Sequence, residues 1–303
     1  MKTKAYKVIQ LLLFLSSMAA IGFSQAQSDP YERDAAYIGI MSRLFYSTHS
    51  MDSRIATEMT FIEFMKNIDK QCQFTEFQDP MNVIRQMRED NLDAILANPV
   101  DYLAIEQQID EDHHYSLLFG ERLQQKIMLL VRKSDNIKEL SQLAGRSLAF
   151  PYGHQLGKIF LDMNLLDRKL PQTAGHFSEI QHPESLNDAI INLFFNKVDS
   201  ALVTDVAFEL AQELNPQIRH AIVPVIVSEP MIQVVIGINK RVPLTFKTRI
   251  GQMAGNLDQY PRTLHLLSLF KSNRVVNISA SELDKVREIV MKYESLLNES
   301  RSE

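Results

Sequence analysis

The sequence predicts an α/β protein of two lobes, joined by two β crossings with a cleft between them. Three observations support this fold class. Short apolar runs alternate with amphipathic helical stretches from Ala36 onward, which is typical of α/β proteins. A helix–strand–helix pattern around Asp93 returns about 106 residues later around Asp199. The chain has 303 residues, 45% of them hydrophobic, which is enough for two domains of ordinary size.

Charge and cysteine content exclude some classes of protein. There are 32 Lys and Arg residues against 37 Asp and Glu residues, and the formal net charge is −5. Because no bulk positive charge is present to neutralise phosphates, we expect no nucleic-acid partner. Cys72 is the single cysteine, so no internal disulfide can form. Nothing near it in sequence supplies a paired base, and we expect a structural role for it.

The first 26 residues are predicted to be a cleavable secretory signal peptide. Lys2, Lys4 and Lys7 precede an apolar stretch over residues 8–23, and residues 24–26 give a small–x–small cleavage pattern. The alternative is an anchoring helix, but the apolar stretch is short for a bilayer. We therefore expect the rest of the chain to be released into the periplasm.

Hydrophobic patterning predicts the elements of the first lobe in order. Apolar runs predict three strands, at residues 37–41, 73–77 and 93–97. Between the first two strands, apolar residues at helical spacing predict a helix over residues 55–68. Asp79 is a predicted N-cap with Pro80 at the first helical position, which indicates a second helix before the third strand.

The second lobe is predicted to repeat this plan between two longer β segments. Ser185 is expected to cap a helix, and residues 199–203 form the strand that follows. The β segments at residues 124–132 and 231–239 lie on either side, so the chain leaves the first lobe, builds the second and returns. We assign residues 27–123 and 239–303 to lobe 1, and residues 124–238 to lobe 2. In the returning part, Ser279 and Glu282 predict a capping box at the start of the last helix.

Three stretches, in this order and spacing, resemble the phosphate/phosphite/phosphonate substrate-binding family of ABC transporters. They are residues 91–102 (NLDAILANPVDY), 137–150 (IKELSQLAGRSLAF) and 234–243 (VVIGINKRVP). The resemblance covers about residues 36–270. It implies the type 2 periplasmic binding protein fold, with a ligand cleft between lobes that close by hinge motion. It also implies capture of a small polar or anionic solute, phosphonate- or phosphate-like, for transport.

One segment departs from the pattern of this family. After the strand that ends at Phe150, the family usually has a Ser/Thr-Ser-Gly turn that binds an oxyanion at a helix N-terminus. This chain has PYGHQLGK over residues 151–158. Backbone N–H groups at a helix start still attract an anion, although the segment can equally be a plain loop followed by a solvated lysine. The candidate ligand-binding residues here are Tyr152, Gly153, His154, Gln155 and Lys158.

Further candidates lie where predicted strands end, the usual position of a cleft in α/β folds. Hydroxyl, amide and aromatic groups at such positions orient a small polar ligand. Tyr102 has the alternative of packing in the core, and Asp205 that of capping a helix. These candidates are Ser47, Thr48, His49, Asn98, Tyr102, Thr204 and Asp205.

The sequence favours neither a metal site nor an enzyme. His113 and His114 are adjacent after an acidic stretch, and adjacent side chains point in different directions. A solvated acidic loop is therefore favoured there, and we expect no metal and no cofactor. Nucleophile-elbow, phosphate-loop and His-Glu-x-x-His motifs are missing from the sequence, so we expect no catalysis.

By resemblance, the expected partners are a small-molecule solute and an ABC transporter permease that recognises the closed lobes. The alternative is a membrane sensor protein that reads the same closed form. We expect the protein to act as a monomer.

Overall fold

The computed structural model describes residues 33–44, 50–268 and 272–300. Its strands are β1 (Ala35–Met41), β2 (Gln71–Phe77), β3 (Ala94–Ala97), β4 (Ile109–Phe119), β5 (Ile127–Arg132), β6 (Ser147–Ala149), β7 (Glu179–Gln181), β8 (Ser200–Thr204), β9 (Ile222–Val227), β10 (Val235–Asn239) and β11 (Ser272–Ile278). Its α-helices are α1 (Ser50–Lys66), α2 (Pro80–Arg88), α3 (Pro99–Ile105), α4 (Gln155–Leu166), α5 (Thr173–His176), α6 (Leu186–Phe194), α7 (Asp205–Leu214), α8 (Pro216–Ala221), α9 (Leu244–Gly255), α10 (Pro261–Ser268) and α11 (Asp284–Ser300). Across these described ranges, no helix has the length and apolar character needed to span a membrane.

The strands form two separate sheets, one in each lobe. The first sheet has the order β11-β4-β10-β3-β1-β2, and the second has the order β7-β6-β8-β5-β9. Parallel pairs join β1 to β2 and β3, and join β6 to β7 and β8. The chain thus builds β1–β4, makes the whole second sheet and returns with β10 and β11. The predicted two-lobed α/β architecture is confirmed.

The two crossings between the lobes lie side by side. The N–H of Gln125 donates to the carbonyl of Met231, and the N–H of Met231 donates back to Gln125, both at 2.8 Å. β5 and β10 begin just after these residues, one in each sheet. β10 lies wholly in the first sheet, so the boundary assigned between residues 238 and 239 falls inside that strand. One hydrogen-bonded pair therefore connects the two points at which the lobes join.

Local capping chemistry accounts for two of the predicted helix starts. The Asp79 carboxylate accepts a hydrogen bond from the N–H of Met81 at 3.0 Å, and Pro80 is the first residue of α2. The Ser185 hydroxyl accepts one from the N–H of Asp188 at 3.1 Å and caps α6. Both caps are confirmed as predicted.

The predicted capping box at Ser279 and Glu282 is wrong. Ala280–Leu283 forms a 3₁₀ turn, and α11 begins only at Asp284. The Ser279 hydroxyl contacts the Ser281 hydroxyl at 2.6 Å, and the Glu282 carboxylate accepts a hydrogen bond from the Gln124 amide at 2.7 Å. Both side chains are therefore engaged in other contacts, and the Ser279 hydroxyl makes no capping hydrogen bond to the backbone of this turn.

The C-terminal helix α11 packs mainly against the second lobe, although it follows a strand of the first sheet. Val286 is fully buried in the core cluster that contains Leu129, Leu161 and Leu202 of the second lobe. The Lys292 ammonium lies 2.9 Å from the Asp167 carboxylate, just beyond the end of α4. The last helix therefore adds a third physical connection between the lobes.

Candidate functional site

The two faces of the first sheet have different surroundings. Met41, Ile95, Ala97 and Val235 are fully buried and pack in one core cluster on the face covered by α2 and α3. Because side chains alternate along a strand, their neighbours point to the opposite face. There the sheet borders a cavity of about 250 Å³. The strand residues that line this cavity are Ile38, Ala94, Leu96, Tyr115, Leu117, Phe119, Ile236, Ile238 and Val275.

Three helices of the first lobe form the opposite wall of the cavity. α1 contributes the largest share, including the aromatic rings of Phe61 and Phe64. α9 contributes Ile250 and Ala254, and α10 contributes Leu267. The remaining first-lobe lining residues are Leu44, Thr57, Thr60, Met65 and Thr263.

The second lobe and the two crossings complete the cavity wall. The second-lobe lining residues come from the first turn of α6, the N-cap of α7 and the first two turns of α7. They are Leu186, Asn187, Thr204, Val206, Ala207 and Leu210. The crossings contribute Gln125, Gln233 and Val234. The cavity therefore lies where both lobes and both crossings meet, which is the position predicted for a cleft.

The lining of this cavity is almost entirely uncharged and apolar. No Asp, Glu, Lys, Arg or His lies among the described residues that line it. Its polar members are threonine hydroxyls, the amides of Gln125, Asn187 and Gln233, and the phenol of Tyr115. Burial raises the pKa of Tyr115 above its ordinary value, so this phenol stays neutral. The site can hydrogen-bond a ligand, but among these residues it has no charge to offer.

Thr204 and Asp205 connect the second-lobe wall to the first crossing. Thr204 is the N-cap of α7, because its hydroxyl accepts a hydrogen bond from the N–H of Ala207 at 3.3 Å. The alternative that Asp205 is the cap is therefore wrong. Asp205 is the first helical residue, and its carboxylate accepts from the N–H of Lys126 at 3.0 Å and lies 3.5 Å from the Arg122 guanidinium.

Asn98 and Tyr102, two of the predicted ligand-binding residues, make contacts within the first lobe. The Asn98 side chain caps α3 by accepting hydrogen bonds from the N–H groups of Val100 and Asp101, both at 3.0 Å. Tyr102 is fully buried in the first-lobe core, and its hydroxyl lies 2.5 Å from Nδ1 of His114. Burial raises the pKa of Tyr102 and lowers the pKa of His114, so both groups are neutral.

The segment before α4 places its histidine in the interior. α4 begins at Gln155, as predicted, and His154 is the N-cap residue. His154 is fully buried, and burial lowers its pKa to about 3. Its ring lies against Gly157 so closely that a Cβ there would be 2.2 Å from Nε2. This glycine therefore makes room for the neutral imidazole.

The other candidates of this segment lie outside the cavity wall. Tyr152 is 80% exposed, and its ring packs edge-to-face on His182 with centroids 5.6 Å apart. The Lys158 ammonium is 2.6 Å from the buried Asp162 carboxylate. Gly153 and Gln155 line no part of the cavity.

Of the predicted ligand-binding residues within the described ranges, the structure brings only Thr204 to the cavity wall. Ser47, Thr48 and His49 lie outside the described residues. Sequence reasoning missed Gln125, Asn187 and Gln233, which are the other polar cavity-lining residues on the crossings and on the second-lobe wall. Asn187 follows a helix cap and the two glutamines sit in the crossings, so position alone could have indicated them.

The adjacent histidines lie in a strand. The prediction that they lie in a solvated acidic loop is therefore wrong. Both belong to β4, where neighbouring side chains point to opposite faces. Nδ1 of His113 lies 2.6 Å from the Asp110 carboxylate, whereas His114 contacts Tyr102. Within the described ranges no group of three or more metal-ligating side chains is present.

The fold resembles that of several solved proteins. One is a Xanthomonas citri protein bound to ATP, with a TM-score of 0.64, 13% identity, and coverage of 88% of this chain and 99% of that chain. Another is PhnD1 from Prochlorococcus marinus in complex with methylphosphonate, with a TM-score of 0.63, 14% identity and coverage of 86% and 98%. A third is a binding protein component of an ABC phosphonate transporter from Pseudomonas aeruginosa, with a TM-score of 0.61, 12% identity and coverage of 88% and 88%. At these identities the likeness shows the fold alone.

Sequence comparison supplies the family. No curated protein matches the sequence. A family model described as "ABC transporter, phosphonate, periplasmic substrate-binding protein" matches residues 53–283, which is most of the chain. Together with the type 2 periplasmic binding protein fold, this match confirms the resemblance carried by residues 91–102, 137–150 and 234–243. The chain belongs to the family of periplasmic substrate-binding proteins of phosphonate ABC transporters.

Proposed function

We propose that this protein captures its solute in the cavity at the junction of the two lobes and presents it to an ABC transporter permease. The observation that carries the proposal is the composition of the cavity wall. The first-lobe sheet, the first turns of α6 and α7, and both crossings all contribute to one space of about 250 Å³. A solute held there touches both lobes at once.

Contact with both lobes provides a reason for hinge closure. A ligand shifts a conformational equilibrium only through its different affinity for the two states. A solute in contact with Leu96 of the first lobe and Val206 of the second gains contacts when the lobes approach. The paired crossings at Gln125 and Met231 are the short connection about which such a rotation takes place.

The proposal includes a monomer that acts in the periplasm without catalysing a reaction. Both lobes of the chain and both crossings contribute to the described cavity wall, and this arrangement supports a monomer. No acid–base pair lines it among those residues, and general acid–base catalysis needs one within reach of the bound solute. Residues 1–26 are removed on export, in keeping with their signal-peptide pattern.

The test is a thermal-unfolding screen of the protein purified from the periplasm of an expression host. The panel contains phosphate, phosphite, sulfate, phosphonates with short and long side chains, amino acids, carboxylates and alcohols. A solute at about 100 times its dissociation constant adds roughly 2.7 kcal/mol to stability, which raises the Tm by a few degrees for a chain of this size. Any solute that raises the Tm is then tested for compaction by small-angle scattering.

A pair of variants on α7 locates the site. Val206→Asp puts a charge into the cavity wall and should abolish the Tm shift. Leu214→Asp makes the same kind of change at a 72% exposed position of the same helix, and it should leave the shift intact. Equal Tm shifts in both variants would refute the site. No Tm shift with any member of the panel would refute the proposed solute capture itself, which is called the receptor function below.

A further inference from the structure

We infer that the cavity binds an uncharged hydrocarbon group, and that the solute is an amphipathic molecule with an alkyl chain of up to about ten carbon atoms. The inference rests on the proposed function, because it names the class of solute that the same cavity takes. The inferred solute differs from a small, fully charged oxyanion, because such an oxyanion has no apolar part to fill the cavity.

The first argument is the chemistry of the deep part of the cavity, which is the part between the first sheet and the helices α1 and α10. Ile38, Leu96 and Ile236 of the sheet face Phe61 and Phe64 of α1 and Leu267 of α10 across it. No charged side chain is present among the described lining residues. A charge buried without a partner costs far more than the contacts it gains. The group that enters this part must therefore be uncharged, and apolar surface there gains free energy from leaving water.

The second argument is size. A cavity of about 150 Å³ lined by aliphatic and aromatic side chains holds a benzene molecule. At the same density, a cavity of about 250 Å³ holds about ten carbon atoms. This volume is much larger than the packing defects of an ordinary protein interior, where voids seldom exceed a water molecule.

The third argument is the position of the polar groups near the lobe junction. The amides of Gln125, Asn187 and Gln233 and the hydroxyl of Thr204 lie on the crossings and on the second-lobe wall. All four are neutral hydrogen-bonding groups. The head group of an amphipathic solute can thus lie at the junction of the lobes while its chain extends between the sheet and α1. Closure of the two lobes then depends on contacts of the head group of the solute, whereas burial of its alkyl chain supplies affinity.

The experiment is a calorimetric titration of the periplasmic protein with straight-chain alkylphosphonates, from methyl to dodecyl. Each buried methylene should tighten binding about fourfold. The gain should stop near about ten carbons, where the cavity is full. The neutral 1-alkanols of the same lengths should show the same dependence on chain length, because the deep part of the cavity recognises the chain and not the head group.

The outcomes separate this inference from the proposed function. If methylphosphonate binds as tightly as octylphosphonate, the inference is overturned and the receptor function stands. If no alkyl compound binds while another solute of the screen raises the Tm, the inference is again overturned alone. Failure of every solute in the screen overturns both.

Two substitutions that change the cavity volume test the location of the chain. Ala254→Leu fills part of the cavity from α9, and it should weaken octylphosphonate binding at least tenfold more than it weakens methylphosphonate binding. Gln252→Leu, at an exposed position of the same helix, is the matched control and should change neither affinity. Leu267→Ala enlarges the cavity and should move the optimum to a longer chain. An unchanged optimum in both cavity variants would contradict the inference, and the chain-length series on the wild-type protein remains decisive if either variant fails to fold.

Discussion

Replacing His154 by glutamine should reduce the loss of stability that the protein undergoes in mild acid. The imidazole is fully buried at the start of α4, and burial lowers its pKa from 6.5 to about 3. Unfolding exposes the ring to water and returns its pKa to about 6.5. Between these two values the unfolded chain binds a proton that the folded protein does not. Stability is therefore fully present above about pH 6.5 and falls as the pH drops below it.

The size of this loss follows from the two pKa values. Proton uptake by this histidine lowers the free energy of unfolding by less than about 0.1 kcal/mol at about pH 7.5. At about pH 5 it lowers the free energy of unfolding by about 2 kcal/mol. The wild-type protein should thus lose about 2 kcal/mol more than His154→Gln between these pH values. His114 is also buried with a lowered pKa, but it is present in both proteins and its contribution cancels in this comparison.

The assay is urea unfolding followed by far-UV circular dichroism at both pH values. His154→Gln also loses packing, so the informative quantity is the change with pH and not the stability at either pH. The matched control is His220→Gln, which replaces an exposed histidine and should lose as much stability as the wild type does. If His154→Gln also loses as much as the wild type, then His154 is not the buried neutral group described above.

Cys72, Asn98 and Arg122 give three further tests. Burial raises the pKa of the Cys72 thiol to about 12, so a disulfide reagent at about pH 8 should react at least about tenfold more slowly with the folded than with the urea-unfolded protein; equal rates would contradict this. Asn98→Ala should cost about 1–2 kcal/mol in chemical unfolding through loss of the α3 cap and leave solute affinity unchanged, whereas lost affinity at full stability would indicate a ligand contact. Arg122→Gln removes the ion pairs of a half-exposed guanidinium with the exposed Glu209 and the mostly buried Asp205, and it should lower stability by about 1 kcal/mol. In thermal unfolding this difference should vanish at about 1 M salt, and a salt-independent difference would rule out the ion pairs as its cause.

Local chemistry is sufficient to predict much of the fold. The Asp79 and Ser185 caps and the strands that end near Ala97 and Thr204 depend on neighbours within one turn or one strand, and such signals survive in any tertiary context. The capping box predicted at Ser279 failed because Glu282 accepts a hydrogen bond from the Gln124 amide, a residue 158 positions away that no local pattern reveals.

The cavity could not be predicted in the same way. Ile95 fills a core and Leu96 borders an open space, yet both are apolar residues of one buried strand, and no local pattern distinguishes the two faces. Polar residues at strand ends present a similar ambiguity, since Asn98 and Thr204 have the same helix-capping role. Thr204 of the second lobe lines the cavity and Asn98 of the first lobe does not. This difference depends on how the two lobes are placed, which no local sequence pattern reveals.

The insertion of β10 between β3 and β4 has a consequence for how this chain is made. Synthesis proceeds from the N-terminus, so the contiguous strands β5–β9 are available to complete their sheet while β3 and β4 still await their common neighbour. Such long-range pairing is slow, and open strand edges readily pair with other chains. The vulnerable interval in biosynthesis therefore lies between completion of the second sheet and the arrival of β10. We expect substitutions that weaken the pairing of β10 with β3 or β4 to reduce the yield of folded protein more than they reduce the stability of the finished molecule.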